Sequence, residues 1–147
     1  MKKTEKRKIR FLFGANLIII FLLTWMLCAC QNSDSPPSHS SIKKITGIEQ
    51  LKTIIQSSDN GLVMIDFYAD WCGPCRQLSP RLEKIAMENG DKVTIYKLDI
   101  EKHKKIAAQY GVRSIPFVAF FKQQKVVHQM KGLYPANAYL EVINQFS

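Results

Sequence analysis

The chain has two parts that differ in their pattern of apolar and polar residues. Residues 1–10 are mostly basic, and residues 11–30 form one nearly continuous apolar stretch. Residues 42–147 instead alternate between short apolar runs and longer amphipathic stretches. Between the two parts, residues 31–41 are polar around two adjacent prolines and hold too little apolar surface to fold. The pattern therefore predicts an N-terminal segment, a flexible linker and one folded domain.

Within residues 42–147, the alternation indicates strands and helices that follow one another. Apolar runs and period-two patterns predict five strands, at 42–45, 62–69, 93–98, 117–121 and 126–130. Apolar residues at helical spacing predict four helices, which begin near Ile48, Pro74, His103 and Tyr139. A turn at 122–125 would join the last two strands as a hairpin. The order β-α-β-α-β-α-β-β-α predicts an α/β fold, a central mixed sheet with helices on both faces.

The net charge of +9 would suit a nucleic-acid-binding protein, but its distribution disfavours that class. Residues 1–10 alone carry +5, and the remaining +4 is spread without a basic run that aromatic residues interrupt. We therefore predict no nucleic-acid partner. Basic residues ahead of an apolar stretch are typical of an export signal, whose basic end stays in the cytoplasm. The domain would then lie outside the cytoplasmic membrane.

The end of the apolar stretch, Leu27-Cys28-Ala29-Cys30, resembles the lipobox of bacterial lipoproteins. By this resemblance Leu27 is the apolar position, Ala29 the small residue, and Cys30 the residue that is lipidated after cleavage. Cys28 departs from the alanine or serine that is usual at its position. The alternatives are an uncleaved transmembrane helix, for which the stretch is long enough, and a free secreted form. Either membrane anchor would hold the domain at a bacterial membrane, facing the periplasm or the cell exterior.

Two of the four cysteines, Cys72 and Cys75, form a C-x-x-C motif between a predicted strand and a predicted helix. This placement is typical of a redox-active dithiol. A structural zinc site usually has four ligands, and the sequence has no second C-x-x-C and no H-x-x-H, so we predict no metal. We expect no bound cofactor either, because a Cys72–Cys75 disulfide would itself carry the electrons.

The position of the two cysteines predicts different roles for them. Pro74 is typical of a helix start, so Cys72 would lie at the helix N-terminus, where the helix dipole favours its thiolate. Cys72 would attack a substrate disulfide, and Cys75, one turn further in and more buried, would resolve the mixed disulfide. Asp66 is the one charged residue inside the preceding apolar run. Burial would raise its pKa, which suits a base that takes the proton of Cys75.

With these residues in view, the chain resembles the thioredoxin family over about residues 42–146. The resemblance rests on separated motifs in one order, which are the stretch DFYADWCGPC from Asp66 to Cys75, Pro80, Lys97-Leu98-Asp99, the stretch YGVRSIP that ends at Pro116, and Gly132. It implies the thioredoxin fold and thiol–disulfide exchange as the activity.

The resemblance also implies a substrate-binding groove. Ile115 and Pro116 would be joined by a cis peptide bond beside Cys72 and would present backbone to an extended substrate. Gly132 would leave room in that groove. Phe117 departs from the threonine that usually follows the proline, and this departure bears on which substrates are preferred.

Further residues would support the dithiol, again by resemblance. Lys97 would lie near Asp66 and tune its charge, and Trp71 would pack over the dithiol. Gly73 and Pro74 complete a Cys-Gly-Pro-Cys loop, which in this family is the loop of the reducing thioredoxins.

This loop favours a disulfide reductase of exported proteins. Because the exported compartment is oxidising, the reductase would receive electrons from a membrane electron donor. One small core accounts for the apolar positions, so we expect a monomer. Two alternatives stay open. One is an exported disulfide oxidant or isomerase, which would differ in its reduction potential. The other is a non-catalytic, tethered binding module that uses only the groove.

Overall fold

A computed structural model describes residues 41–147, so the predicted export segment with Cys30 and nearly all of the predicted linker lie outside the described residues. Within residues 41–147, no helix combines the length and the apolar character needed to cross a bilayer. The described elements follow the predicted order. They are β1 (Lys43–Lys44), α1 (Ile48–Ser57), β2 (Leu62–Tyr68), α2 (Gly73–Glu88), β3 (Val93–Asp99), α3 (Lys104–Gln109), β4 (Phe117–Lys122), β5 (Lys125–Lys131) and α4 (Ala136–Phe146).

The five strands form one mixed sheet in the order β1-β3-β2-β4-β5. Strands β1, β2 and β3 are parallel, whereas β4 is antiparallel to β2 and to β5. Strand β2 pairs on both edges and is covered on both faces, which explains why its sequence is a nearly unbroken apolar run. The predicted α/β fold with a central mixed sheet is confirmed.

Two apolar clusters cover the two faces of the sheet, because successive side chains of a strand point to opposite faces. Met64 of β2 faces α2 and α4, where it packs in one cluster with Leu78 and Ile143. Ile65 and Phe67 face the other way and pack in the cluster that includes residues of α1 and α3. By the same alternation, Asp66 shares the face of Met64, and the carboxyl group therefore points toward the helix that begins at the C-x-x-C motif.

The hairpin between β4 and β5 turns on only two residues, Gln123 and Gln124, with φ angles of 50° and 59°. Such turns favour asparagine and glycine, which adopt positive φ more easily. Here buried Ser58 holds the turn, because its carbonyl accepts from Gln123 N at 2.8 Å and its hydroxyl accepts from Gln124 N at 2.8 Å. Tertiary hydrogen bonds thus stabilise a turn that its own residues do not favour.

Candidate active site

The two cysteines of the motif lie where the central strand passes into the first turn of α2. Strand β2 ends at Tyr68, Cys72 is the N-cap of the 16-residue helix, and Pro74 occupies its first turn. Proline is tolerated there because the first N–H groups of a helix have no partner within it. Cys72 and Cys75 are joined in a disulfide with their Cα atoms 5.3 Å apart, within the usual range.

The start of α2 provides a positive electrostatic environment for the sulfur of Cys72. The backbone N–H of Cys75 donates to Cys72 Sγ at 3.2 Å, so the sulfur occupies the acceptor position of an N-cap side chain. In the reduced protein the same N–H and the helix dipole favour a thiolate at this position. Crowding does not explain the glycine at position 73, since a Cβ added there would lie 3.9 Å from the nearest atom, which belongs to Arg76.

Burial does not distinguish the two cysteines, contrary to our expectation that Cys75 is the more buried. Cys72 is 3% exposed and Cys75 is 4% exposed, and Tyr68, Ile100 and Ile115 pack against the cluster that the two cysteines form with Ala69. The neighbouring cleft does distinguish them. A cleft of about 410 Å³, here called the acid cleft, is lined by Lys44, Asp66, Tyr68, Ala69, Asp70, Cys75, Arg76, Ser79 and Lys97, and not by Cys72.

Asp66 lies in the acid cleft with Cys75, at the centre of the sheet. It is 1% exposed, and its Oδ1 atom has no hydrogen-bond partner among residues 41–147. Burial raises the pKa of Asp66 from 3.8 to about 7, and the positive charge of Lys97 offsets part of this increase. A carboxyl group with a pKa near neutrality can both accept and release a proton under ordinary conditions.

Lys97 is held beside this carboxyl group by three features of the fold. It is the register partner of Asp66 on the neighbouring parallel strand, so the two side chains leave the same face of the sheet. Its Nζ atom donates a hydrogen bond to Ser79 Oγ and lies 5.8 Å from the centre of the Tyr68 ring. The structure therefore places Lys97 where the resemblance predicted it, near Asp66.

Sequence reasoning missed the contribution of Ser79. A signal was available, because Ser79 follows Cys75 by four residues and side chains at that spacing share one face of a helix. A polar residue on the face of α2 that carries Cys75 must meet the sheet near Asp66 and Lys97.

The segment before β4 also borders the cluster that contains the disulfide. The Ile115–Pro116 peptide bond is cis, and Ile115 packs against the cluster that Ala69 forms with the two cysteines. Gly132, just after β5, donates its N–H to the carbonyl of Pro116 at 2.8 Å. Its φ angle is +104°, and an added Cβ would meet no atom within 4 Å, so glycine there satisfies the backbone and leaves open space beside Pro116.

Trp71, which the resemblance places over the dithiol, is largely open to solvent. The residue is 67% exposed. It lines a groove of about 230 Å³, here called the Trp71 groove, with Ile100, Val112, Arg113, Ser114 and Ile115.

No group of three or more histidine, cysteine or acidic side chains within residues 41–147 is placed to hold a metal ion. The described residues do offer the groups of a redox-active dithiol. Cys72 offers a sulfur at a helix N-terminus, and Cys75 offers a second sulfur in the cleft of a titratable carboxyl group. The Trp71 groove is lined by Ile100 and Ile115, which pack against the cluster of Ala69 and the two cysteines.

Comparisons with known proteins agree with this geometry. The family model for thioredoxin matches residues 42–145. Thioredoxin of Chlamydia caviae is 41% identical over 104 residues, which cover 71% of this chain and 98% of that protein. Thioredoxin of Bacillus subtilis is 40% identical over 88 residues, 60% of this chain and 85% of that one. The structure of Fasciola hepatica thioredoxin superposes with a TM-score of 0.67 at 29% identity, covering 72% of this chain and 100% of that chain. The chain therefore belongs to the thioredoxin family of thiol–disulfide oxidoreductases.

Proposed function

We propose that this protein reduces disulfide bonds of exported proteins while it is tethered to a bacterial membrane. The observation that carries the proposed chemistry is the acid cleft, which is lined by Asp66, with a pKa near 7, and by Cys75, but not by Cys72. This arrangement supports an attacking Cys72 and a resolving Cys75 that needs a base.

The reaction begins with the dithiol in its reduced form. The Cys72 thiolate attacks one sulfur of a client disulfide, so that a Cys72–client bond forms and the client S–S bond breaks. The other client sulfur leaves as a thiolate and takes up a proton. The product of this first step is a mixed disulfide between the protein and its client.

Cys75 then completes the exchange. The Asp66 carboxylate takes the proton of the Cys75 thiol, and the resulting thiolate attacks Cys72 Sγ. The Cys72–Cys75 disulfide forms as the mixed disulfide breaks, and the client leaves with both sulfurs reduced. Two electrons have passed to the client, and a membrane electron donor would restore the dithiol by the reverse exchange.

The proposed tether rests on the N-terminal sequence. The basic residues 1–10, the apolar residues 11–30 and the lipobox-like end support export followed by lipidation of Cys30. Mass spectrometry of the membrane-extracted protein tests this proposal. We expect an N-terminus at Cys30 that carries acyl chains and a Cys30→Ser variant that keeps its signal, whereas an uncleaved wild-type chain would contradict lipidation and favour a transmembrane anchor.

The reduction potential tests the proposed direction of the reaction. The full-length chain, purified in a non-ionic detergent, is equilibrated with glutathione or dithiothreitol buffers, and the fraction of Cys72–Cys75 disulfide is measured. We expect a value near that of reducing thioredoxins, about −270 mV. A value near that of the strong exported oxidants, about −120 mV, would contradict the reductase proposal and assign the protein to disulfide formation.

A further inference from the structure

A third cleft lies beyond the Trp71 groove and has no part in the chemistry described above. It has a volume of about 300 Å³, and we call it the cationic cleft. Its lining consists of Tyr110, Gly111, Arg113, Ser114, Phe117, Gln129 and Lys131. Two of these residues are cations, three have neutral side chains that can form hydrogen bonds, and none is acidic.

The two cations of this cleft are unpaired. Arg113 and Lys131 are both exposed, and no ion pair or side-chain hydrogen bond joins either of them to another of residues 41–147. The acid cleft differs, because Asp66 and Asp70 line it together with its cations. The cationic cleft thus has positive charge that the described part of the chain does not compensate.

The position of these cations links them to the disulfide. Arg113 and Ser114 line both the cationic cleft and the Trp71 groove, whose Ile115 packs against the cluster that contains the two cysteines. Lys131 is the register partner of Phe117, the residue directly after Pro116. One cation therefore precedes the cis peptide bond in the chain, and the other lies on β5 opposite Phe117, the residue that follows this bond.

We propose that the cationic cleft binds a carboxylate of the client polypeptide, from an aspartate or glutamate a few residues away from the disulfide that Cys72 attacks. This inference rests on the proposed function, since it names a class of substrate for the same site. Arginine can bind a carboxylate through two parallel hydrogen bonds, and lysine adds a second charge. Because both cations are exposed, the gain is modest and falls with added salt.

Single-turnover reduction of matched peptides tests the proposal. Reduced full-length protein in a non-ionic detergent is mixed with disulfide-linked peptides that carry glutamate, glutamine or lysine at the second, third or fourth residue from the attacked cysteine. The measured quantity is the second-order rate constant for client capture. At low salt we expect the best glutamate peptide to react about fivefold faster than its glutamine counterpart, and the lysine peptide to react more slowly than both.

Two matched double variants locate the effect. Arg113→Gln/Lys131→Gln removes the cations of the cleft, and Lys122→Gln/Lys125→Gln removes two charges at the other end of the same hairpin. Each rate is divided by the rate of the same variant with a small neutral disulfide. We expect the glutamate preference to disappear in the first variant and to persist in the second.

Three outcomes would overturn the proposal. The first is that the glutamate and glutamine peptides are captured at the same rate. The second is that both double variants lose the glutamate preference equally. The third is that Arg113 and Lys131 bind anionic lipid vesicles while the protein shows no preference among the peptides. Reduction of the glutamine peptide without a preference for glutamate would leave the proposed function standing. Failure of the wild-type chain to reduce any peptide would overturn both.

Discussion

The acid cleft and the Trp71 groove both border the cluster that contains the disulfide, and no residue lines both of them. The acid cleft reaches Asp66, which is 1% exposed, and it holds charged groups that face one another across a sheet and a helix. The Trp71 groove is bounded by an aromatic ring that is 67% exposed and by the segment that ends in the cis peptide bond. The acid cleft thus contains a buried group that can bind a proton, whereas the Trp71 groove is open to solvent.

This difference separates the two demands of thiol–disulfide exchange. The resolving step needs a proton acceptor with a pKa near neutrality, which requires burial. Capture of a protein client needs accessible backbone and side chains, which requires exposure. Because the two regions have no lining residue in common, different residues can meet the two demands. Substitutions in the two regions should therefore alter different steps of the reaction.

Among the substitutions that test this comparison, we expect the largest effects when one cysteine is replaced at a time. We expect Cys75→Ser to accumulate a stable mixed disulfide through Cys72 and Cys72→Ser to accumulate none, while both lose turnover entirely. The physical reason is that only Cys72 lies at the N-cap of α2, where a thiolate is favoured. Non-reducing electrophoresis and mass spectrometry of a mixture with a disulfide-bonded peptide measure the adducts. Comparable adducts through Cys75 would show that the two sulfurs are interchangeable.

The pH dependence of the stability of the oxidised protein tests the acid cleft separately from the Trp71 groove. Below about pH 4 Asp66 is protonated in both the folded and the unfolded chain, and above about pH 7 it is ionised in both. Between these values the folded state keeps a proton that the unfolded state has lost, so stability falls as the pH rises. A change in pKa from 3.8 to about 7 corresponds to about 4 kcal/mol.

We therefore expect Asp66→Asn to be more stable than the wild type at pH 8, by up to about 4 kcal/mol, and to differ little near pH 4. Denaturant unfolding at a series of pH values measures the difference. Asp70→Asn is the matched control, since Asp70 lines the same cleft but is exposed. A wild-type stability that does not fall between pH 4 and 7 would mean that Asp66 is not titrating in the folded state as described.

A crossed kinetic experiment compares the two regions directly. We expect Asp66→Asn to slow resolution of the mixed disulfide by roughly tenfold to a hundredfold at pH 7, because the base is lost, and to leave client capture nearly unchanged. We expect Trp71→Ala to slow capture by about fivefold through lost aromatic contact and to leave resolution nearly unchanged. Rapid-quench measurement of the two steps separates them. If either substitution slowed capture and resolution equally, the two regions would not act in different steps.

The sequence was sufficient for the order of elements, for the positions of Cys72, Cys75 and Asp66, and, through the family resemblance, for the cis peptide bond before Pro116. Apolar runs report burial along the chain, and a charge inside such a run is conspicuous. Other features depend on contacts between distant residues. The exposure of Trp71 depends on which side chains enclose the cysteines, and the turn at Gln123-Gln124 depends on Ser58, more than sixty residues away. Local patterns do not encode such contacts.

Ser79 is the clearest of these cases, and it gives the smallest effect that we predict. Its hydroxyl accepts a hydrogen bond from Lys97 and thereby holds a positive charge beside Asp66, where that charge lowers the carboxyl pKa. We expect Ser79→Ala to release Lys97 and to raise the pKa of Asp66, because the offsetting charge becomes mobile. At a pH just below 7, less of Asp66 is then ionised, and resolution slows by about twofold.

The pH dependence of resolution measures this effect, since a purely structural change would lower the rate equally at all pH values. The Ser79→Ala profile should move to higher pH and reach the same plateau as the wild type. Ser79→Thr keeps the hydroxyl and should restore the wild-type profile. A profile that moves to lower pH would mean that the hydrogen bond draws Lys97 away from Asp66. In that case Ser79 would weaken the coupling between the lysine and the buried acid instead of maintaining it.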